Sequence, residues 1–398
     1  MDNMISVQEA KKIVSNSIPL WDSEIVFLSQ GVGRVLSADI LSSMNSPSFS
    51  SSAMDGYAIY HGDVPGKIPV VKTLSAGDLS HPTLKRGEAI RIMTGGRIPK
   101  GGTAVVPQEE VVIAGENKIF IPHSVVEGRH IRLEGEELKK GDVVLPQGTL
   151  LTPGGIGFLA SLGIQKVSIF VPPEIAILPT GNELVTDPKE MKKGKVFESS
   201  SFAIQAALQK WNIAPTLFSP VADMRKNLYE AFQKALKEHD FVVVTGGVSV
   251  GGFDFVKEVL ADLKVETLFW KVAQKPGKPL FFGKRGRQFF FGLPGNPASS
   301  LVCYYEYVEP ALLQGMGYPD ANLPVETGKI QKEFIKNETR SEFVRARAKR
   351  DENGLFIFPI EGQESHKMKS FALANCLMFV PAEKNKLEIG EEVMIQWL

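Results

Sequence analysis

The spacing of apolar residues divides the chain into stretches of different texture. Val7, Ala10, Ile13 and Val14 recur at helical spacing. Ahead of them Ser6-Val7-Gln8-Glu9 has the form of a capping box, with Ser6 at the helix start and Glu9 reaching back. From about Ser46 to Gln147 glycine and proline become frequent. The apolar runs there shorten to Ala104–Val106, Val111–Ile113 and Lys118–Ile121, the pattern of small strands joined by turns. Gly154–Leu162 is predicted helical and Val167–Val171 extended.

From about Pro172 to Tyr318 strand and helix patterns alternate. Glu174–Leu178, Phe241–Val244, Lys264–Trp270 and Phe289–Gly292 are expected as strands. Phe202–Leu208, the stretch in which Leu228, Phe232 and Leu236 recur, Phe255–Leu263 and Leu301–Leu313 are expected as helices. Ser199 to Ser201 and Asp223 stand where helix caps are wanted. Such alternation implies an α/β layer with a largely parallel sheet. Beyond Pro319 helices fade, and Phe343–Lys349, Leu355–Pro359, Leu377–Val380 and Val393–Trp397 read as short strands of an all-β domain. The fold expected is therefore α/β and multi-domain: a central three-layer α/β part with a mostly parallel sheet, a β-rich N-terminal insert and a C-terminal all-β domain.

Composition changes this picture little. The 398 residues suffice for two to four domains at roughly 100–200 residues each. Lys+Arg and Asp+Glu balance at 45 each, which argues against nucleic-acid binding by bulk charge, since that needs a clustered cationic excess. Cys303 and Cys376 are too few for a disulfide framework or a Cys-rich zinc site. The six histidines have no paired metal-ligand spacing. No apolar run approaches the ~18 residues of a membrane span. Met1-Asp2-Asn3-Met4 lacks the blocks of a signal peptide, so a cytoplasmic address is expected.

The chemistry should lie at the carboxyl ends of the sheet strands, where open α/β sheets bind ligands. Thr180-Gly181-Asn182-Glu183 follows the first strand. Thr245–Gly252 follows the second and contains Gly246, Gly247, Ser249 and Gly251. Glycines let backbone N–H groups approach an anion, although the same loop also fits a turn required only by backbone geometry. Leu293-Pro294-Gly295-Asn296-Pro297 follows another strand. Asn296 can cap there and Pro297 suits a first helical position, while Pro294 and Pro297 stiffen a pocket wall. Between these loops Lys271, Lys275 and Lys278 lie on a proline-stiffened segment and suit phosphate or another oxyanion as point charges. Glu183, Asp223 and Asp254 nearby suggest Mg²⁺, which binds through one or two carboxylates plus phosphate oxygens. A helix cap for Asp223 and a first-turn acid for Asp254 are the plainer readings.

Taken in order, Ser52–Ala58, Arg91–Gly96 with Val105–Glu109, Pro179–Leu184, Thr245–Gly251, Trp270–Pro279 and Gly292–Pro297 resemble the molybdopterin molybdenumtransferase family. The resemblance spans most of the chain. It implies a homodimer and four parts: residues 1–45 with 136–171 as an elongated linker and dimerisation domain, 46–135 as the insert, 172–318 as the molybdopterin-binding domain and 319–398 as the C-terminal domain. It also implies a reaction in which adenylylated molybdopterin and molybdate enter, the phosphoanhydride is cleaved, and molybdenum cofactor and AMP leave, with Mg²⁺ present. Carried over by motif, Asp55, Thr94, Glu183, Asp223, Asp254, Lys271, Lys275, Pro294 and Pro297 match functional positions. Arg345 looks like the family's C-terminal arginine, and Ser370 like its partner serine, with Ser365 as the other candidate. Glu137 stands where the family has aspartate, and Asn182 where an acid is common. A molybdopterin adenylyltransferase and a non-catalytic peptide-binding scaffold are the competing readings.

Overall fold

The computed structural model of the chain describes residues 4–78, 80–248, 253–336 and 338–398, without the side chains of Phe253 and Asp254. The opening helix runs Val7–Ser17 and closes the predicted capping box: the Glu9 amide donates to Ser6 at 3.2 Å and the Ser6 amide to Glu9 at 2.8 Å. Strand Ser23–Phe27 pairs antiparallel with Lys166–Phe170, and Ile40–Leu41 with Val143–Leu145. The stretches on either side of the β-rich segment thereby come together. Between them Gly56–Ile59, Gly66–Leu74, Ala89–Ile92, Ala104–Pro107, Val112–Ile113 and Lys118–Ile121 form one sheet.

The α/β layer is built on strands β1 (Ile175–Pro179), β2 (Thr216–Leu217), β3 (Phe241–Thr245), β4 (Glu266–Trp270), β5 (Phe281–Arg285) and β6 (Gln288–Leu293), in the order β2-β1-β3-β6-β5-β4. The sheet is mixed. Pairings among β2, β1, β3 and β6 are parallel, and β5 pairs antiparallel with both β6 and β4. The antiparallel portion comes from β5, a strand that apolar spacing does not announce, which turns at Gly286-Arg287 straight into β6. Two antiparallel steps restore direction, so β4 points the same way as β1, β3 and β6. Every loop singled out for chemistry therefore leaves one edge of the sheet.

Side-chain alternation explains the layers. Phe241 and Val243 face a core that includes Val7, Ala10 and Val14 of the opening helix. Val242 and Val244 face Leu228, Phe232 and Leu236 of helix Arg225–Glu238. Two expected caps are corrected. At helix Ser200–Gln209 it is the Glu198 carboxylate that accepts from the Ser201 amide at 2.8 Å and from its hydroxyl. At helix Arg225–Glu238 the N-cap is Met224, and Asp223 makes no cap bond. The expected helix Leu301–Leu313 is three pieces, Pro297–Cys303, a π turn Tyr304–Val308, and Glu309–Gly315. The wider turn carries Glu306, which is buried and accepts bonds from Lys11 of the opening helix and Gln396 near the C-terminus.

In the C-terminal part Ser341–Asp351, Gly354–Pro359, Val325–Ile330, Glu392–Trp397 and Cys376–Val380 pair in a closed ring, a barrel-like unit around Val344, Ile357, Met378 and Ile395. Its one departure from the all-β expectation among the described residues is the short helix Lys369–Leu373. Among the described residues no helix is long and apolar enough to cross a membrane.

Phe232 is fully buried and meets Phe290 edge-on at 5.1 Å. Phe232→Ala is expected to destabilise the α/β layer by about 3–5 kcal/mol, read as an earlier transition in urea followed by tryptophan fluorescence.

Candidate functional site

The loops at that edge converge by close backbone contact. The Thr180 amide donates to the Thr245 carbonyl at 2.8 Å, and the Gly246 amide to Leu293 at 3.1 Å. Gly246 has φ +88°, and a Cβ there would lie 2.3 Å from the Thr180 carbonyl oxygen. Only glycine permits this approach. The Gly246 N–H is thus committed to Leu293, which corrects its expected place in an anion cradle. Gly246 and Gly247 instead pack the loop against Thr180. Ser249, Gly251 and the Asp254 side chain lie outside the described residues.

Beside these loops opens a cleft of about 880 Å³. The sequence-singled residues Glu183, Lys275, Lys278, Pro294 and Pro297 line it. Pro297 occupies the first turn of its helix as expected, and Asn296 holds the N-cap position but makes no side-chain cap bond. Its side-chain amide donates to the Ser365 hydroxyl at 2.8 Å, and the Ala298 amide donates to the Ser365 carbonyl at 3.2 Å. The C-terminal part contributes further lining residues, among them Arg340, Gln363, Ser365 and His366.

The lysine segment crosses between the two parts. Lys271 follows β4 with a left-handed backbone, φ +72°, and its amide donates to the Leu280 carbonyl. Gln274–Lys275 then pairs in parallel with Ser341–Glu342. Buried Gln274 accepts from the Tyr307 hydroxyl and donates to the Pro276 carbonyl at 3.2 Å. Gly277 follows at φ +95°, where a Cβ would lie 2.5 Å from Cys303 Sγ. Cys303 is buried packing, its thiol pushed far up by that burial and by Glu306. The Lys275 ammonium lies 3.2 Å from Glu342.

Asp223 stands near Glu183. Burial first, and the Glu183 charge second, push its carboxyl above the ordinary 3.8. Its amide donates to Asn182 Oδ1 at 3.1 Å, while its buried Oδ1 has no hydrogen-bond partner. Asn182 therefore has a structural task where the family commonly has an acid. Two neighbouring carboxylates, one with a buried oxygen left unpaired, are a donor set that a divalent cation fits.

The remaining candidates lie elsewhere. Thr94 donates to Asp55 through both amide and hydroxyl at 2.7 Å, which holds the Asp55 carboxyl below its usual range. This exposed pair sits in the β-rich segment, and neither residue lines the cleft. Exposed Glu137 accepts from the Ser46 hydroxyl at 2.9 Å. Arg345 is completely buried. It donates to Ser370 and to the carbonyls of Gly362 and Glu364, each at 3.2 Å, and burial pushes its pKa down to about 10. Arg345 and Ser370 thus sit behind the cleft wall, holding the 362–364 loop, while Ser365 faces the cleft.

Comparison with known proteins agrees with this arrangement along the whole chain. Residues 5–163 match the MoeA N-terminal region (domain I and II), 176–314 a probable molybdopterin binding domain, and 327–398 the MoeA C-terminal region (domain IV). A molybdopterin molybdenumtransferase of Haemophilus influenzae is 34% identical, covering 99% of this chain and 98% of its own. The chain belongs to the molybdopterin molybdenumtransferase family. Another relative of that name, from Staphylococcus epidermidis, is 32% identical over 98% of this chain and 94% of its own. The molybdopterin biosynthesis moeA protein of Pyrococcus horikoshii OT3 superposes with a TM-score of 0.85 at 31% identity, covering 100% of both chains. A further crystal structure of a moeA protein from the same species gives 0.86 at 26% identity over 99% of each chain.

Sequence reasoning missed Arg340, Glu342, Gln363 and His366, because their place depends on how the barrel meets the α/β layer. The one available signal was a pair of charges in an apolar strand pattern, Glu342 just ahead of the Phe343–Ala346 run and Arg345 within it.

The raised Asp223 carboxyl has a consequence for stability. The folded chain holds that proton more tightly than the unfolded chain does. The associated stabilisation is complete below the ordinary 3.8 and is lost as pH climbs through the raised value. Metal-free Asp223→Asn, which cannot ionise, is expected to gain thermal stability over the wild type as pH rises to neutrality, with the gap closing in acid. Melting curves across pH check this.

Proposed function

We propose that this family member inserts molybdenum from molybdate into adenylylated molybdopterin in the cleft between the α/β layer and the barrel. The phosphoanhydride is hydrolysed in the process, with AMP and molybdenum cofactor as products. The observation that carries the reading is the cleft itself: Lys275, Lys278, Pro294, Pro297 and Glu183 line it together at the carboxyl edge of the sheet, and Asp223 stands near Glu183.

The substrates are anionic, and each residue type answers that need. Lys275 and Lys278 offset charge on molybdate or phosphate oxygens as compact, rotatable donors, and Lys271 serves the same segment. The Pro-Gly-Asn-Pro loop keeps its shape because both prolines fix φ and Ser365 ties Asn296. Gly247 packs against Thr180, which lines the cleft, and Ser249 and Gly251 belong by sequence to the same glycine-rich stretch. The dithiolene sulfurs of the pterin are the soft ligands for the incoming metal, so the two buried cysteines have no part in the transfer. Arg345, itself bonded to Ser370, acts on molybdate through the 362–364 loop that it holds.

Asp223 and Glu183, with Asp254, are the residues that would hold Mg²⁺. When bound, the ion offsets charge developing on phosphate oxygens. The reading is supported by the unpaired Asp223 oxygen. The same reading makes the protein a cytoplasmic homodimer in the four parts 1–45 with 136–171, 46–135, 172–318 and 319–398. The division into parts is supported by separate hydrophobic clusters in the insert, the α/β layer and the barrel. Asp55, Thr94 and Glu137, away from the cleft of their own chain, then contribute to substrate binding through a partner subunit.

Incubating the protein with adenylylated molybdopterin, molybdate and Mg²⁺ should release AMP. Lys275→Ala is expected to lower that rate at least 100-fold, about 3 kcal/mol of transition-state stabilisation, with circular dichroism unchanged. Wild-type release by this variant would remove Lys275 from the mechanism.

A further inference from the structure

Glu342 has no place in the chemistry so far, yet it is the group that Lys275 touches. Its side chain is 5% exposed, against 36% for Lys275, and its Oε1 lies 3.2 Å from the Lys275 ammonium. The contact follows from strand register. Gln274 pairs with Ser341 and Lys275 with Glu342, as neighbours in a parallel ladder, so the two side chains leave adjacent backbones on one face. The segment is held at further points. Arg340 donates to the Gln274 carbonyl at 3.1 Å, and the Ser341 amide donates to the Ala273 carbonyl at 3.2 Å. Glu342 is therefore delivered to Lys275 by the barrel rather than by the α/β layer that carries the lysine.

Burial gives the contact its weight. A carboxylate taken out of water is costly unless it is paired, and the second oxygen of Glu342 has no hydrogen-bond partner. Two cations besides Lys275 sense its charge. Buried Lys336 and buried Arg345 both have pKa values lowered by desolvation and partly restored by Glu342. Arg345 donates to Ser370 and to main-chain carbonyls, and Lys336 donates to the carbonyls of Pro381 and Ala382. Among these cations Lys275 is the one at ion-pair distance of Glu342 that also lines the cleft.

We propose that Glu342 is the positioning residue of Lys275, holding its ammonium at the cleft wall in the orientation that receives the oxyanion. A lysine carries large rotamer entropy, and a site that fixes it beforehand loses less when ligand binds. Glu342 itself touches no substrate. The barrel, through this one carboxylate, sets the reactivity of a lysine that belongs to another part of the chain. The inference rests on the function proposed above.

The test is a double-mutant cycle in the full-length protein, using Glu342→Gln, which keeps the shape and removes the charge, and Lys275→Ala. Glu342→Gln is expected to lower kcat/KM for molybdate about tenfold, and Glu342→Asp to recover part of it. In the Lys275→Ala background Glu342→Gln should change the residual rate less than twofold, since its target is gone. A structural role for Glu342 would multiply through both backgrounds, and that outcome overturns the proposal. Competitive acylation read by mass spectrometry gives a measure independent of turnover. Lys275 should react several-fold faster in Glu342→Gln than in the wild type, with Lys278 unchanged as the internal reference. Equal Lys275 labelling overturns the proposal even if activity falls. If the wild-type chain released no AMP, the assigned function would fail, while the acylation comparison would still decide the role of Glu342.

Discussion

A two-residue parallel pairing, Gln274–Lys275 against Ser341–Glu342, joins the α/β layer to the barrel, and the cleft depends on it. The lysine segment belongs by sequence to the sheet edge, yet its ladder partner belongs to the C-terminal part. Lys275 and Lys278 can line a cavity together with Arg340, Gln363, Ser365 and His366 of the C-terminal part only while that pairing holds the two in register. Around it the interior is densely tied. Gln274 is bonded by Tyr307 and packs against Cys303, and the opening helix reaches the same helical stretch through Lys11 and Glu306. Glu306 also accepts from Gln396, so the first helix, the middle of the chain and its last strand meet at one buried carboxylate.

Much of the frame was legible because short-range chemistry specified it. The Ser6–Glu9 box, the buried strands of the α/β layer and the four-residue recurrence of Leu228, Phe232 and Leu236 each follow from spacing alone. The strand Phe281–Arg285 was not legible, since it is short, ends in charge and turns at once. The same is true of Val325–Ile330, whose alternation runs through Glu326, Thr327 and Lys329. The helix over 301–313 was legible as a helix, but not as one interrupted by a π turn. Nothing in a local window announces a widened turn whose buried glutamate accepts, at one carboxylate oxygen, from residues about 300 positions earlier and 90 later.

The site divides along the same line. Glycine loops, the proline wall and the lysine run could be read, because their residue types announce backbone constraint and charge. Their use could not always be read. Gly246 looked like an anion donor and is a close-packing residue, its N–H spent on Leu293. Asp223 looked equally like a helix cap and a metal carboxylate, and it makes no cap bond but leaves a buried oxygen unpaired beside Glu183. Arg345 looked like the family's C-terminal arginine and is an interior tether. In each case the deciding fact was a long-range neighbour, which residue type alone does not disclose.

These assignments reduce to a claim about place, that oxyanion binds between the lysine segment and the Pro294–Pro297 loop. Anomalous diffraction at the molybdenum absorption edge, from crystals grown with molybdate, locates the metal without assuming any mechanism. The account predicts a peak within ion-pair distance of Lys275 or Lys278 and facing the proline loop. A peak only at another surface, in crystals whose cleft is open to solvent, would contradict it.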